Sequence, residues 1–429
     1  MLSVIGILLG LALLVVLALK DWNIIIASLL ASTVVIVFSG VPLKETLYEA
    51  YMIGFKNWAG NFFLMLAAGS VFAKLMEDTG SAQVISNFIM KLTGRESVLK
   101  IFIGIWLVTT LLVYAGINVW VIVFVMMPIM YPIFKELDIP WHIALAVFAL
   151  GANCMGNWLP GAVTIYNIMP MKYLGTSAMA GWKISLFSDT FAVVLSFIYI
   201  FHELKKAKAR GEHFVKPERL TIAELSGDNL PSPLFAFAPI VVTLLTLNLF
   251  KIDVFFALTL GCLTCVVLMY KNLDNVLATL NKGASNAGLP VIGTCAVVGF
   301  GSVVAAVPGF ETITNAILQG VPGSPYVSWV ISVNALAGVT GSASGGLGIA
   351  LDALLPKYMD LGLNPEAMHR LASLAACGLD TLPQNGAVMT ILTIFGLTHR
   401  EAYKHMFWIS VVITVLSCVP AILGAFIFY

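Results

Sequence analysis

Charge is what this sequence has least of. Only 10% of its 429 residues are Asp, Glu, Lys or Arg, against about 25% in an ordinary soluble domain. That scarcity excludes a soluble enzyme of the usual kind. With a formal net charge of +1, it also excludes a disordered or nucleic-acid-binding chain. Cysteine and histidine are sparse, six of each. Four cysteines lie in or beside apolar runs, which is no secreted disulfide framework. Cys262 and Cys265 stand one helical turn apart in a hydrophobic segment and read as packing. The histidines, at 142, 202, 213, 369, 399 and 405, fall at the edges of apolar segments or in loops, so neither a mid-membrane relay nor a metal cluster is expected. No phosphate-binding glycine loop occurs, which argues against ATP as a driving force. A nucleophile–base pair and a cofactor-ligand set are also missing, so neither an enzyme nor a cofactor is expected.

Apolar residues are what is there, at 59% of the chain with a mean hydropathy of +0.96. A helix needs roughly 20 apolar residues to cross about 30 Å of hydrocarbon. Runs of that kind lie at 2–19, 22–38, 58–75, 181–201, 233–250, 253–270, 289–307 and 406–428. The first is followed at once by Lys20-Asp21 and another apolar run. It has no charged leader and no Ala-x-Ala-like site, so it reads as a span rather than a cleaved signal. Four other regions are interrupted. Stretches 97–134 and 325–357 carry Ala115-Gly116-Ile117-Asn118 and Gly341-Ser342-Ala343-Ser344-Gly345-Gly346 at their middles, as re-entrant hairpins would. Regions 140–175 and 367–396 carry Asn153 to Gly161 and Gly378 to Gly386, with Pro160 and Pro383 inside. Proline removes a donor and clashes with the preceding turn, so each of these reads as a span broken in two. The expected fold is an all-α polytopic membrane protein of about ten transmembrane helices, two re-entrant hairpins and two broken helices. Twelve spans, with both hairpins crossing fully, is the alternative.

The chain repeats itself. Gly69-Ser70-Val71 recurs as Gly301-Ser302-Val303 after 232 residues, and Leu159-Pro160 as Leu382-Pro383 after 223. Gly161-Ala162-Val163 recurs as Gly386-Ala387-Val388 after 225, the offset that also separates the hairpin tips at Gly116 and Gly341. Four matches in one order at nearly one offset point to duplication, with a first repeat over 1–201, a linker over 202–232 and a second repeat over 233–429. Up to Arg219 the linker holds Lys205, Lys206, Lys208, Arg210, Lys216 and Arg219 against Glu203, Glu212 and Glu218, which places it in the cytoplasm. Five spans on each side then invert one half relative to the other and put His399, Arg400, Lys404 and His405 inside. Loop 39–57 falls outside. Inverted repeats with broken helices are the plan of many secondary transporters, whose site lies at the repeat interface.

Unwound backbone persists in hydrocarbon only where protein or a wet cavity surrounds it, so the four breaks should converge. Their half-helix N-termini, with Asn118, Asn153, Asn157, Ser342, Ser344, Thr381 and Asn385, would bind an anion through amides and dipoles. No lysine or arginine lies in any break. Hydroxyl and amide side chains suit an anion that itself bears a hydroxyl. Intramembrane carboxylates are candidates for carrying a proton or ion. Asp380, alone in lying within a break, comes first and Asp352 second. Asp189 reads as structural, and Glu311 as solvated near the outer surface.

Gly345-Gly346-Leu347-Gly348-Ile349-Ala350-Leu351-Asp352, then His369-Arg370 and Gly378-Leu379-Asp380-Thr381-Leu382-Pro383-Gln384-Asn385-Gly386-Ala387-Val388, resemble the gluconate permease family of the ion transporter superfamily. Within it, the likeness is greatest to permeases for D-β-hydroxybutyrate and related short hydroxyacids. Gly69 to Gly80, with Lys74-Leu75-Met76-Glu77-Asp78-Thr79-Gly80, is similar to a segment widespread in that family, and the likeness spans nearly the whole chain. The resemblance implies a multi-pass protein of a bacterial cytoplasmic (inner) membrane that carries a small organic anion together with protons. It also implies a homodimer with a fixed scaffold and a transport domain that moves as an elevator. A short hydroxy-monocarboxylate such as D-3-hydroxybutyrate is the expected substrate. Gluconate or another organic anion, sodium in place of protons, and a passive anion channel are the alternatives. Trp158-Leu159-Pro160-Gly161 stands where the gluconate branch tends to show His-Pro-Gly, which counts against gluconate. Gln384 stands where the hydroxybutyrate branch tends to carry histidine. Spans 2–19, 22–38, 233–250 and 253–270 have few polar residues and no break, which suits a lipid-facing scaffold.

Overall fold

The computed structural model describes residues 1–20, 22–93, 97–114, 119–162, 164–220, 230–250, 252–318, 324–383 and 385–429. Among these residues every regular element is a helix. In chain order they are α1 (Leu2–Leu19), α2 (Ile24–Ser39), α3 (Leu43–Asp78), α4 (Ser81–Thr93), α5 (Val98–Tyr114), α6 (Val119–Glu136), α7 (141–158), α8 (Ile165–Leu174) and α9 (Trp182–Ala209). Then follow α10 (Pro233–Asn248), α11 (Val254–Asn272), α12 (Val276–Ala306), α13 (Pro308–Leu318), α14 (Pro325–Thr340), α15 (343–359), α16 (Pro365–Ala376), α17 (Gly386–Ile394) and α18 (His399–Phe428). Six of them, α1, α3, α9, α11, α12 and α18, are long and apolar enough to cross a membrane, and α2, α5 and part of α10 are shorter apolar helices. The chain is a multi-pass, all-helical membrane protein.

The helices begin where the local chemistry can close them. Asn23, Asp253, Asn275 and Asn364 each accept a hydrogen bond from the first turn that follows, and Pro365 opens α16 where no amide is needed. Thr398 and Glu401 form a reciprocal capping box at α18. Apolar composition does the rest. In α1, α2, α10 and α11 large side chains such as Leu8, Leu30, Leu245, Leu263 and Val267 remain exposed, as they must on a surface that meets lipid.

Two kinds of packing follow. α1 pairs with α2, and α10 with α11, while α2 lies on α12, α11 on α3, and α3 on α12. The interrupted elements pack differently. α5 lies on α7 and α14 on α16, while α6 reaches α17 and α15 reaches α8. The first hairpin thus meets the second broken helix, and the second hairpin meets the first. Ile7, Leu14, Ala27, Val35 and Tyr51 form an apolar cluster with Val297, Phe300 and Val303 of α12, separate from the large cluster that holds the broken helices.

Several expected boundaries move. α3 begins at Leu43, so most of the expected loop 39–57 is helical. α3 has 36 residues, about 54 Å at 1.5 Å per residue, and tilt or protrusion takes up the excess over the hydrocarbon thickness. Helix α9 runs on to Ala209, so the linker expected at 202–232 starts as helix. The first broken helix stays intact through Trp158, widening to a π turn over Leu150–Met155, and opens only after that.

Past Ala209 the chain lies across the ends of α6, α7 and the α17–α18 turn. His213 Nδ1 is 2.6 Å from Asp138 Oδ2, and the Phe214 amide donates to Asp138 Oδ1 at 2.9 Å. The Phe214 ring packs on Tyr131 and Trp141. Glu212 meets His142 at 3.0 Å, His142 meets His405 at 2.8 Å, and Lys404 pairs with Glu203 at 2.7 Å. The basic start of α18 therefore sits at the linker's end of the molecule. The hydrogen bond from His213 holds the Asp138 carboxyl below the usual carboxylate range. Its fastening is thus complete above the ordinary carboxylate pKa and is lost as pH falls through the lowered one. Asp138 has φ +50, a conformation that Asn also tolerates. Asp138→Asn should therefore keep the turn yet free the linker, and tryptic cleavage after Arg219 at neutral pH should become faster. An unchanged rate would show that this pair does not hold it.

Candidate functional site

The second hairpin and the second broken helix close on one another through a few short polar side chains. α14 stops at Gly341, whose φ of +61 suits glycine. Ser342 then caps α15, its Oγ accepting from the Gly345 amide at 3.2 Å, with Ser344 Oγ 3.3 Å away. The tip is narrow because Gly346 lies against the Ala337 backbone; a Cβ there would come within 2.3 Å of the Ala337 nitrogen. Across from it the chain is unwound between Ala376 and Gly386. Asp380 Oδ1 accepts from the Ala343 amide at 3.0 Å and from Asn385 Nδ2 at 2.9 Å. Asn385 Nδ2 also donates to the Gly341 carbonyl at 3.0 Å, while its Oδ1 caps α17 through the amides of Ala387 and Val388. A single carboxylate is thus shared by the start of α15 and the cap of α17, where both helix dipoles favour negative charge. Thr381 is buried beside it, with its Oγ1 lacking a hydrogen-bond partner and its carbonyl taken by the Tyr403 hydroxyl at 3.0 Å.

The first break is held by a different set of groups. The Asn157 carbonyl accepts from Thr164 Oγ1 at 2.6 Å. Trp158, fully buried, donates its Nε1 to Asp189 Oδ1 at 2.9 Å, and its carbonyl accepts from an Arg370 terminal nitrogen. Arg370 is completely buried and also donates to the carbonyls of Ala178 and Ala180. His369, just before it, joins Asn167 Oδ1 at 2.9 Å and Thr176 at 2.7 Å. Ser373 Oγ reaches the Tyr166 carbonyl at 2.8 Å. α16 of the second half therefore grips the whole segment around α8.

Of the residues singled out in the sequence, Ser342, Ser344, Asp380, Thr381 and Asn385 come together. Asn157 lies in the last turn of α7, just before the first break opens. Asn118 and Gln384 are outside the described residues, and so is the side chain of Asn153. Asp352 does not join the cluster. It is exposed and accepts from the Tyr173 hydroxyl at 2.5 Å, on a part of α15 that faces α8. Asp189 is buried and accepts from Trp158, the last residue of α7 before the first break opens. Of the histidines, His369 is buried inside α16 rather than in a loop, and His399 and His405 are buried at the start of α18. Arg370 escapes a search of the breaks because it lies about two turns before the second one and reaches toward the first. The His369-Arg370 pair, charged and polar inside a helix otherwise rich in Ala and Leu, was the signal available.

A cavity of about 520 Å³ opens beside these elements. Ser70, Lys74 and Glu77 of α3 line it with Ser285 of α12, Thr393 of α17 and Arg219 of the linker. Lys74 is buried and paired at 2.7 Å with both Glu77 and Asp78, which fixes its charge within α3. The cavity thus lies between α2, α3, α12 and α17, on the side of the linker, while α12 and α17 touch beside it through Thr294 and Thr390.

The model of the GntP family permeases matches residues 2–238. A Bacillus subtilis (strain 168) protein described as the uncharacterized transporter YxjC is 30% identical over 420 residues, covering 87% of this chain and 88% of its own. Both point to transport rather than to catalysis. The chain is a membrane transporter and belongs to the GntP permease family.

Proposed function

We propose that this transporter moves a short hydroxy-monocarboxylate, such as D-3-hydroxybutyrate, together with a proton across a bacterial cytoplasmic membrane. The observation that carries this reading is the position of Asp380, whose carboxylate sits on the helix N-terminus that a substrate carboxylate would use. While Asp380 is ionised, the protein's own anion fills that place. A proton on Asp380 cancels its charge and weakens its hold on the Ala343 amide, so a carboxylate from solution can take over. Proton and anion then favour each other's binding, and by linkage the preference is mutual. One proton and one monoanion also add no net charge to a site that must pass through a medium of low dielectric. The hydroxyl of the substrate finds candidates in Ser342, Ser344 and the unpartnered Thr381 Oγ1.

Movement is assigned from the packing. Helices α1–α9 and α10–α18 correspond in order, with a paired lead, a long third helix, a hairpin, a broken helix and a long final helix in each. This supports an inverted repeat over 1–201 and 233–429, with ten spans and two hairpins. The reciprocal contacts of α6 with α17 and of α15 with α8 favour one transport body, and the separate apolar cluster of α1 and α2 favours a scaffold. Sliding of that body as an elevator, within a homodimer, completes the proposal.

Counterflow in proteoliposomes separates a carrier from a channel. Labelled D-3-hydroxybutyrate should accumulate transiently against excess unlabelled substrate inside, and simple equilibration would sink the carrier mechanism. Ser342→Ala should weaken apparent affinity by roughly 1–3 kcal/mol, the cost of a buried polar partner left unsatisfied. An unaltered apparent affinity would remove Ser342 from the site.

Coupling is tested with pH and sodium gradients imposed one at a time. Asp380→Asn should abolish acid-driven accumulation while exchange continues. Uptake that follows sodium alone would defeat proton coupling, and intact pH-driven uptake in the variant would remove Asp380 from that role.

A further inference from the structure

We infer that Arg370 is a positioning residue that ties the first broken helix to the α8–α9 loop, by supplying donors from the second half to the Trp158 carbonyl at the end of α7 and to the Ala178 and Ala180 carbonyls after α8. The inference rests on the reading that this break belongs to the transport body. Nε donates to Ala180 at 3.0 Å, one terminal nitrogen to Trp158, and the other to Ala178 and Ala180 at 3.2 and 2.7 Å. All these acceptors are main-chain carbonyls, and the side chain has no exposed surface. Among the described residues no carboxylate lies within ion-pair distance of it. The carboxylate whose field reaches it is Asp189, linked to it through Trp158, which gives its carbonyl to one and its indole N–H to the other.

A carbonyl in the membrane interior has no water to fall back on, so an unwound segment needs donors from elsewhere. A guanidinium offers five in a rigid planar fork and suits several convergent carbonyls as an ammonium does not. The packing is correspondingly tight. Gly181, at φ +65, touches the Arg370 stem so closely that a Cβ on it would lie 2.5 Å from the Arg370 Cβ. The second break is treated otherwise. Its carbonyls at Thr381 and Pro383 meet Tyr403 and His399 of α18, in the same half of the chain. The first break is therefore held from the other half as well as by Thr164 and Asn167 of its own, and these contacts of the second come from its own half.

Hydrogen exchange in lipid nanodiscs tests the assignment without reference to substrate. In Arg370→Gln, amides between 164 and 182 should exchange roughly tenfold faster or more, as expected when buried hydrogen bonds are lost locally. Exchange between 386 and 395 should keep its wild-type rate. Unchanged protection at 164–182, or an equal rise throughout, would overturn the inference. Pairing the change with Asp189→Asn separates clamping from charge balance, since return of protection in the double variant would mean that Arg370 serves only to offset Asp189. If Arg370→Gln cannot be produced, Arg370→Lys decides, with faster exchange expected over the same stretch and wild-type exchange overturning the clamp. Uptake of labelled D-3-hydroxybutyrate by Arg370→Lys should show a raised KM with Vmax largely kept; the reverse pattern would also overturn it. Failure of the wild type to carry this anion would defeat the substrate assignment, and the exchange data would still judge the clamp.

Discussion

A carbonyl or amide that leaves a helix inside hydrocarbon must find another protein group, because no water is there to receive it. The architecture around the two broken helices follows from that constraint. Among the described residues, several carbonyls and amides at the breaks are each met by a particular side chain. Arg370, Tyr403, His399 and Asn167 serve carbonyls, while Asp380, Asn385 and Ser342 serve amides. These polar groups are buried because the backbone requires them, and the same groups offer a surface on which a hydrophilic solute could rest.

The two breaks are equivalent in sequence position and unlike in electrostatics. A guanidinium braces the first and a carboxylate lies at the second, 10 residues further along the chain from Arg370. In the proposed repeat, two similar frames therefore carry side chains of opposite sign.

Much of the fold could be read from the chain itself. Unbroken apolar runs gave α1, α2, α10 and α11 almost to the residue, and Gly341-Ser342 marked the turn of the second hairpin. The Asp380–Asn385 cluster was legible because its members share one short stretch interrupted by Pro383. Other parts were hidden for physical reasons. Lys44, Glu45, Glu49 and Lys56 made the start of α3 look like a loop, yet charged residues on a helix that projects beyond the hydrocarbon lose no solvation. Arg370 is not in a break, so a search confined to breaks misses it; its partners are carbonyls, which leave no mark on side-chain identity. Asp352 resembled Asp380 in sequence setting, but its place on the helix turns it toward Tyr173.

The linker carries a mechanical consequence. Its first part is fastened to α6, α7 and the α17–α18 turn, so whatever those helices do, residues up to Leu220 travel with them.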